Sequence, residues 1–250
     1  MIALPGGNEF AIICDCYRNI NLGHELTMLD REIWRVPWNV KDVLWGLLLV
    51  AAAALLVVAI YRFLLSEASL LPTPLILLQG SMLLAAFAFG TNRYHSGWQS
   101  LGLRALHGHG SFSLAWLVLL GSLGFTSLYV FFVNWSGWNR LLPQALSGQA
   151  IGEGWVRLLN IFFLGLFGPF SEEVFFRGFV MPSLVPRVGV LGAIGITSLL
   201  FALGHMLIGL LVPVFVSGCL LAWLYLKTRS IWPSVAAHSA QNLLALSLLT

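Results

Sequence analysis

Seven stretches of this chain are apolar almost throughout, at roughly 43–65, 74–91, 112–133, 156–180, 189–208, 210–227 and 231–249. A bilayer core is crossed by about 20 apolar residues of helix, so each stretch predicts one transmembrane span. The first is the clearest, because no polar side chain interrupts Ala51 to Ala59. The sixth is short and contains Pro213. The fourth departs from the pattern, since Glu172 and Glu173 lie within it. Pro182, Pro186 and Gly189 follow and predict a helix break, which would fold the fourth and fifth spans into an antiparallel hairpin. The expected fold class is all-α, a polytopic transmembrane helix bundle of about seven spans.

Composition narrows the reading further. Of the 250 residues, 58% are hydrophobic and 9% charged, against about 25% charged in a soluble domain. So few charges cannot cover a water-exposed surface, and a mean hydropathy of +0.87 agrees. The net charge of +3 is carried by basic residues scattered singly along the chain. They read as topology signals and not as a nucleic-acid surface. Counted by connection, Lys and Arg alternate between rich and poor sides. The segment before the first span holds Arg18, Arg31, Arg35 and Lys41, and later basic loops hold Arg93, Arg104, Arg187, Lys227 and Arg229. The alternation predicts a cytoplasmic N-terminus and a C-terminus on the far side; the expected location is the plasma (inner) membrane.

The expected organisation has three parts: 1–42, a cytoplasmic or interfacial segment; 43–154, accessory transmembrane helices; and 155–250, a core. Trp34, Trp38 and Trp45 fall at helical spacing where the first part meets the second. Tryptophan favours the headgroup level, so these residues predict an interfacial anchor. Cys14, Cys16 and Cys219 are too few for a disulfide framework and read as free thiols. His95, His107 and His109 lie among Gly and Ser in a loop and read as solvated.

After Asp42 only four carboxylates remain, and two of them, Glu172 and Glu173, fall inside a span. His205 and His238 also fall inside spans. A charged group at the bilayer centre costs about 2.5 kcal/mol even on mild scales, so such residues point to function. Glu173 and Arg177 are four apart and share a helix face, where they can pair. Glu172 is turned about 100° away and stays available. Glu172 and His205 are equidistant from residues 188 and 189, so a hairpin turning there holds them at one depth. His238 fits less well, being only about 13 Å of helix beyond Arg229. An interfacial segment within 181–190, flanked by prolines, would reconcile the depths; the alternative is a last span that begins deeper.

The strings Ser171-Glu-Glu-Val-Phe-Phe-Arg-Gly, Phe201-Ala-Leu-Gly-His205 and His238-Ser-Ala-Gln-Asn242 carry a resemblance. In order and each within a span, they resemble the E-E-x-x-x-R, F-x-x-x-H and H-x-x-x-N/D motifs of the CAAX-protease and bacteriocin-processing (CPBP) intramembrane proteases. The resemblance covers about residues 155–245. It implies a four-helix catalytic core in the C-terminal half and endopeptidase activity on a membrane-associated or lipidated protein or peptide. It also implies catalytic roles for Glu172, His205, His238 and Asn242. Glu172 and His205 would activate water, and His238 and Asn242 would stabilise the oxyanion. Glu173 and Arg177 would support them structurally. Amide hydrolysis in lipid needs these parts: a confined water, a base for it, and donors aimed at the developing negative charge.

The same residues admit other readings. Glu172, His205 and His238 form a His₂Glu set of the kind that holds catalytic zinc, although no H-E-x-x-H pair lies on one helix. The preferred expectation is glutamate-activated water with no obligatory cofactor, and Zn²⁺ is the alternative. An inert immunity or scaffold protein and a transporter also place ionisable groups in membranes. A transporter would show two related halves with paired broken helices, and none is evident here. The expected partners are the lipid bilayer and the substrate, with no nucleic acid.

Overall fold

The computed structural model describes residues 35–63, 72–105, 110–143 and 151–248. Residues 1–34, including Cys14, Cys16 and Trp34, and the loop histidines His107 and His109, lie outside the described residues.

The described chain is helical, and no strand occurs among these residues. Helix α1 spans Val40–Phe63, and α2 spans Pro72–Ala85 before widening into a π-helical turn at Ala86–Asn92. A short 3₁₀ turn, Trp98–Leu101, leads towards α3 at Gly110–Ser136. The stretch Gly154–Gly204 is one long helical path. It comprises α4 (Gly154–Phe162), a π turn (Phe163–Phe167), α5 (Gly168–Glu173), a second π turn (Val174–Val180) and α6 (Met181–Gly204). Helices α7 (Ile208–Thr228) and α8 (Trp232–Ser247) complete it.

Lipid-facing and core-facing sides separate along each helix. Leu48, Leu55, Leu120 and Phe131 are exposed and suit contact with acyl chains. The core gathers around the second π turn, where Phe175, Phe179, Met181, Leu101 and Ile231 are fully buried. A smaller cluster of Ala115, Val118, Leu221, Leu224 and Ala237 joins α3 to α7 and α8.

The long path doubles back. Gly189, at φ 73° and ψ 174°, breaks it within α6, a conformation that glycine adopts without a Cβ clash. The Phe176 and Phe201 rings then meet edge to face, 5.4 Å apart. Glu172 and His205 are each four residues further from the turn than this pair, as the equidistance argument requires. Pro182 and Pro186, expected to help break the helix, instead lie within helical backbone.

Three expectations need correction. Seven spans were expected, whereas five helices among the described residues are long and apolar enough to cross a membrane. The fourth and fifth stretches are the two arms of the 51-residue path that turns at Gly189, and the seventh is the 16-residue α8. Trp38 is not a headgroup anchor. It is 3% exposed, packs on Phe179 at 5.7 Å and donates its indole N–H to the Phe179 carbonyl at 2.9 Å. Finally, the prolines do not interrupt residues 181–188, which are helical up to Gly189, and contacts at the inset loop account for the depth of His238. The loop after α2 is inset, and a Cβ on Gly178 would strike the Leu101 carbonyl. The next carbonyl, Gly102, accepts the Ile231 N–H at 3.0 Å. Gly178 and Ile231 therefore sit at one level. Six residues back to Glu172 and seven on to His238 each climb about 10 Å, so the last span does begin deeper.

A polar knot closes the end of α1. Asp42 is buried, accepts the Tyr94 hydroxyl at 2.7 Å and pairs with Arg93 at 3.4 Å. That carboxylate pushes the Tyr94 phenol above its ordinary range.

A candidate intramembrane active site

The two π turns bracket α5, which carries Glu172 and Glu173 at its end. A π turn is a one-residue widening, and in a membrane the carbonyls it tilts away must find donors from neighbouring helices. The first turn finds two. The Gln79 amide on α2 donates to the Phe163 carbonyl at 3.0 Å, and the Asn242 amide on α8 donates to Leu164 at 2.9 Å. Gly168 permits the close approach of α2, since a Cβ there would lie 2.7 Å from Gln79 Nε2. The bulge thus turns the glutamates inward while its own backbone stays satisfied.

Glu173 is fully buried, and its Oε1 receives two donors. Arg177 Nη1 lies at 2.9 Å and His238 Nδ1 at 3.0 Å. Arg177 is also buried; its Nη2 donates to the Gly218 carbonyl at 3.2 Å, and its guanidinium lies 4.7 Å from the centre of the Phe201 ring. The Glu172 side chain is different: it is 23% exposed, and its Oε2 faces His238 Nε2 at 3.6 Å. His238 therefore stands between the two carboxylates. Glu173 accepts, so Nδ1 carries a proton; a second proton on Nε2 would bring the two carboxylates, Arg177 and His238 to charge balance.

His205 caps α6. Its Nδ1 lies 2.9 Å from the Phe201 carbonyl. A carbonyl can only accept, so Nδ1 holds the proton and Nε2 of the neutral ring keeps a lone pair. Phe201 packs edge-on against both imidazoles, with centroids 5.0 Å from His205 and 5.5 Å from His238.

The structure thus brings Glu172, Glu173, Arg177 and His238 into one network and sets His205 beside it across Phe201. Asn242 is turned to the Leu164 carbonyl, and among the described residues it makes no hydrogen bond to the network. Nor does a hydrogen bond join His205 to either glutamate among the described residues. The zinc alternative meets a geometric difficulty. No three His, Cys, Asp or Glu side chains converge as a metal-holding group among the described residues. His205 Nδ1 and His238 Nδ1 are engaged with the Phe201 carbonyl and Glu173, which leaves Nε2 of each ring to face the site. Gln79, Gly218 and Trp38 are supports that sequence reasoning missed; only Gln79 offered a signal, as a lone amide within an apolar span.

Residues 154–244 match the family model for Rce1-like type II CAAX prenyl endopeptidases. The matched stretch is similar to this family, in keeping with the motif resemblance. The matched stretch begins at α4 and ends within α8, and it holds every residue of the network. The comparison with curated proteins found no match, and the comparison with solved structures found none.

Proposed function

We propose that this protein is an intramembrane endopeptidase that hydrolyses a peptide bond of a membrane-associated or lipidated substrate by glutamate-activated water. The observation that carries this reading is the division of labour between adjacent carboxylates. Glu173 is sealed and held by Arg177 and His238, while Glu172 keeps an exposed edge beside them. Glu172 takes a proton from water as the oxygen attacks the scissile carbonyl carbon. His205 Nε2 serves as a second acceptor orienting that water. The tetrahedral oxyanion draws a hydrogen bond from His238 Nε2–H and from the second N–H of the Asn242 amide, whose first is committed to Leu164. The C–N bond then breaks, and the proton held by Glu172 passes to the leaving amine. The similarity of residues 154–244 to the Rce1-like endopeptidases supports the reaction class.

The decisive variant is Glu172→Gln, which keeps shape and removes the base. It should accumulate like the wild type and leave membrane-protein substrates uncut when membrane proteomes are compared. Near-wild-type cleavage would overturn the assignment. The reading requires no metal. Elemental analysis of active, detergent-purified protein should find zinc well below one per chain. Stoichiometric zinc that disappears together with activity in His205→Ala would favour the metal-dependent alternative.

A further inference from the structure

Gln241 lies between the two α8 residues assigned to the oxyanion, in the string His238-Ser-Ala-Gln-Asn242, and the mechanism above does not use it. Its Oε1 accepts two hydroxyl protons, from Ser122 on α3 at 3.1 Å and from Ser217 on α7 at 3.0 Å. Both serines are buried. A carbonyl oxygen has two lone pairs, so both are engaged, and the amide cannot turn without releasing one helix or the other. The nitrogen end differs. Nε2 carries two N–H groups, makes no hydrogen bond among the described residues, and is not sealed from the surface. We propose that Gln241 donates a hydrogen bond to a main-chain carbonyl of the substrate beside the scissile bond. The proposal rests on the reading of the protein as an intramembrane endopeptidase.

Burial along α8 shows what the free donors face. Ser234, His238, Gln241 and Ala245 follow one another at intervals of four, three and four residues and form one helical stripe. Ser234 is 0% exposed and His238 4%, whereas Gln241 is partly exposed and Ala245 exposed. The stripe that meets the glutamates at His238 is therefore covered at one end and open from Gln241 onwards. The rise from His238 to Gln241 is about 4.5 Å, less than one helical turn. Glu172 and His205 also keep part of their surface exposed, and Met206, next after His205, is 89% exposed. The base, the second water acceptor and the free amide thus all retain an open edge, while Glu173, Arg177 and His238 are closed in.

The chemistry of the substrate calls for such a donor. A peptide drawn out for hydrolysis at this depth has given up its own helical hydrogen bonds, and within hydrocarbon each of its carbonyls needs a partner. His238 and Asn242 serve the carbonyl that reacts, which leaves its neighbours along the chain. An amide supplies donors without the penalty that Lys or Arg would carry in a span. Fixing its oxygen on two separate helices orients those donors before the substrate arrives, so little freedom is lost on binding.

The test uses the full chain in detergent micelles. The probe is a quenched fluorescent peptide copied from a membrane protein that wild-type membranes cut and Glu172→Gln membranes do not. Gln241→Met keeps the length of the side chain and removes its polar atoms, and the two serine hydroxyls can turn to carbonyls of their own helices. Per folded molecule, this variant should raise KM about fivefold, the loss of one neutral hydrogen bond. A second series of peptides carries an ester in place of one amide at a time on either side of the cut, which weakens that carbonyl as an acceptor. One ester should cost the wild type a similar factor and cost Gln241→Met nothing more. A residue that only joins helices would give additive losses with every ester. If Gln241→Met does not fold, Ser122→Ala with Ser217→Ala keeps the amide, frees its oxygen and should also raise KM, by a smaller factor. Unchanged KM in the variant that folds, or additive losses throughout, overturns the proposal while Glu172 remains the base. If no membrane protein depends on Glu172 for its cleavage, the endopeptidase reading fails and the proposal falls with it.

Discussion

At the scale of single residues, Glu173 and Arg177 illustrate how a charge is kept inside a membrane protein. Neither side chain reaches solvent, and each relies on the other, on His238 or on the Gly218 carbonyl. Removing one member of a buried pair strands the other at a cost of about 3–5 kcal/mol. Arg177→Ala should therefore lower the yield of folded protein as well as activity, whereas Glu172→Gln lowers activity alone. Fluorescence-detected size exclusion of the two variants separates these outcomes, and equal yields would contradict a structural role for Arg177. This pair was readable in the sequence because i,i+4 spacing is a local property. The role of His238 was not. Its contact with Glu173 spans 65 residues, and nothing in either string specifies which of two neighbouring carboxylates the imidazole will join.

Among elements, the inset loop under the second π turn sets the tightest constraint. A Cβ on Gly178 would collide with the Leu101 backbone, which cannot swing aside as a side chain can. Gly178→Ala should destabilise by about 1–3 kcal/mol, the usual cost of overpacking. Gly124 on α3 has open space around it, so Gly124→Ala should be neutral or slightly favourable through helix propensity. Thermal unfolding in detergent checks both, and equal effects would rule out the close contact. The hairpin was legible because the midpoint of Glu172 and His205 falls beside Gly189, shortly after two prolines. The π turns were not, because hydropathy does not register one extra residue in a helical turn. The inset loop was hidden for a related reason. Trp98–Leu101 reads as a connection, and only its contacts with Gly178 and Ile231 show that it lies among the helices. Trp38 misled because a buried indole and a headgroup indole have the same sequence context; the Phe179 carbonyl decides between them.

On the scale of the whole molecule, the Lys/Arg balance predicts which membrane face each end occupies. Cysteines introduced near Arg93 and Arg187 should react with a membrane-impermeant reagent only from the cytoplasmic side, and one at Ser247 only from outside. Labelling at 247 from the cytoplasm would remove one crossing and reverse the assignment of the α8 end.

The inset loop has a bearing on where a unit of folding begins. Similarity to the Rce1-like family starts at residue 154, yet the surface over Gly178 and Phe179 is closed by Leu101, Trp38 and the α1 residue Gly46. A fragment cut at the similarity boundary would open that surface to acyl chains. It would strip the Phe163 and Phe179 carbonyls of their side-chain donors and leave Ile231 without Gly102. The border of kinship therefore runs through the middle of a single cooperative structure. The helices before it, which carry no member of the glutamate–histidine network, are as much a part of the architecture around that network as the helices that do.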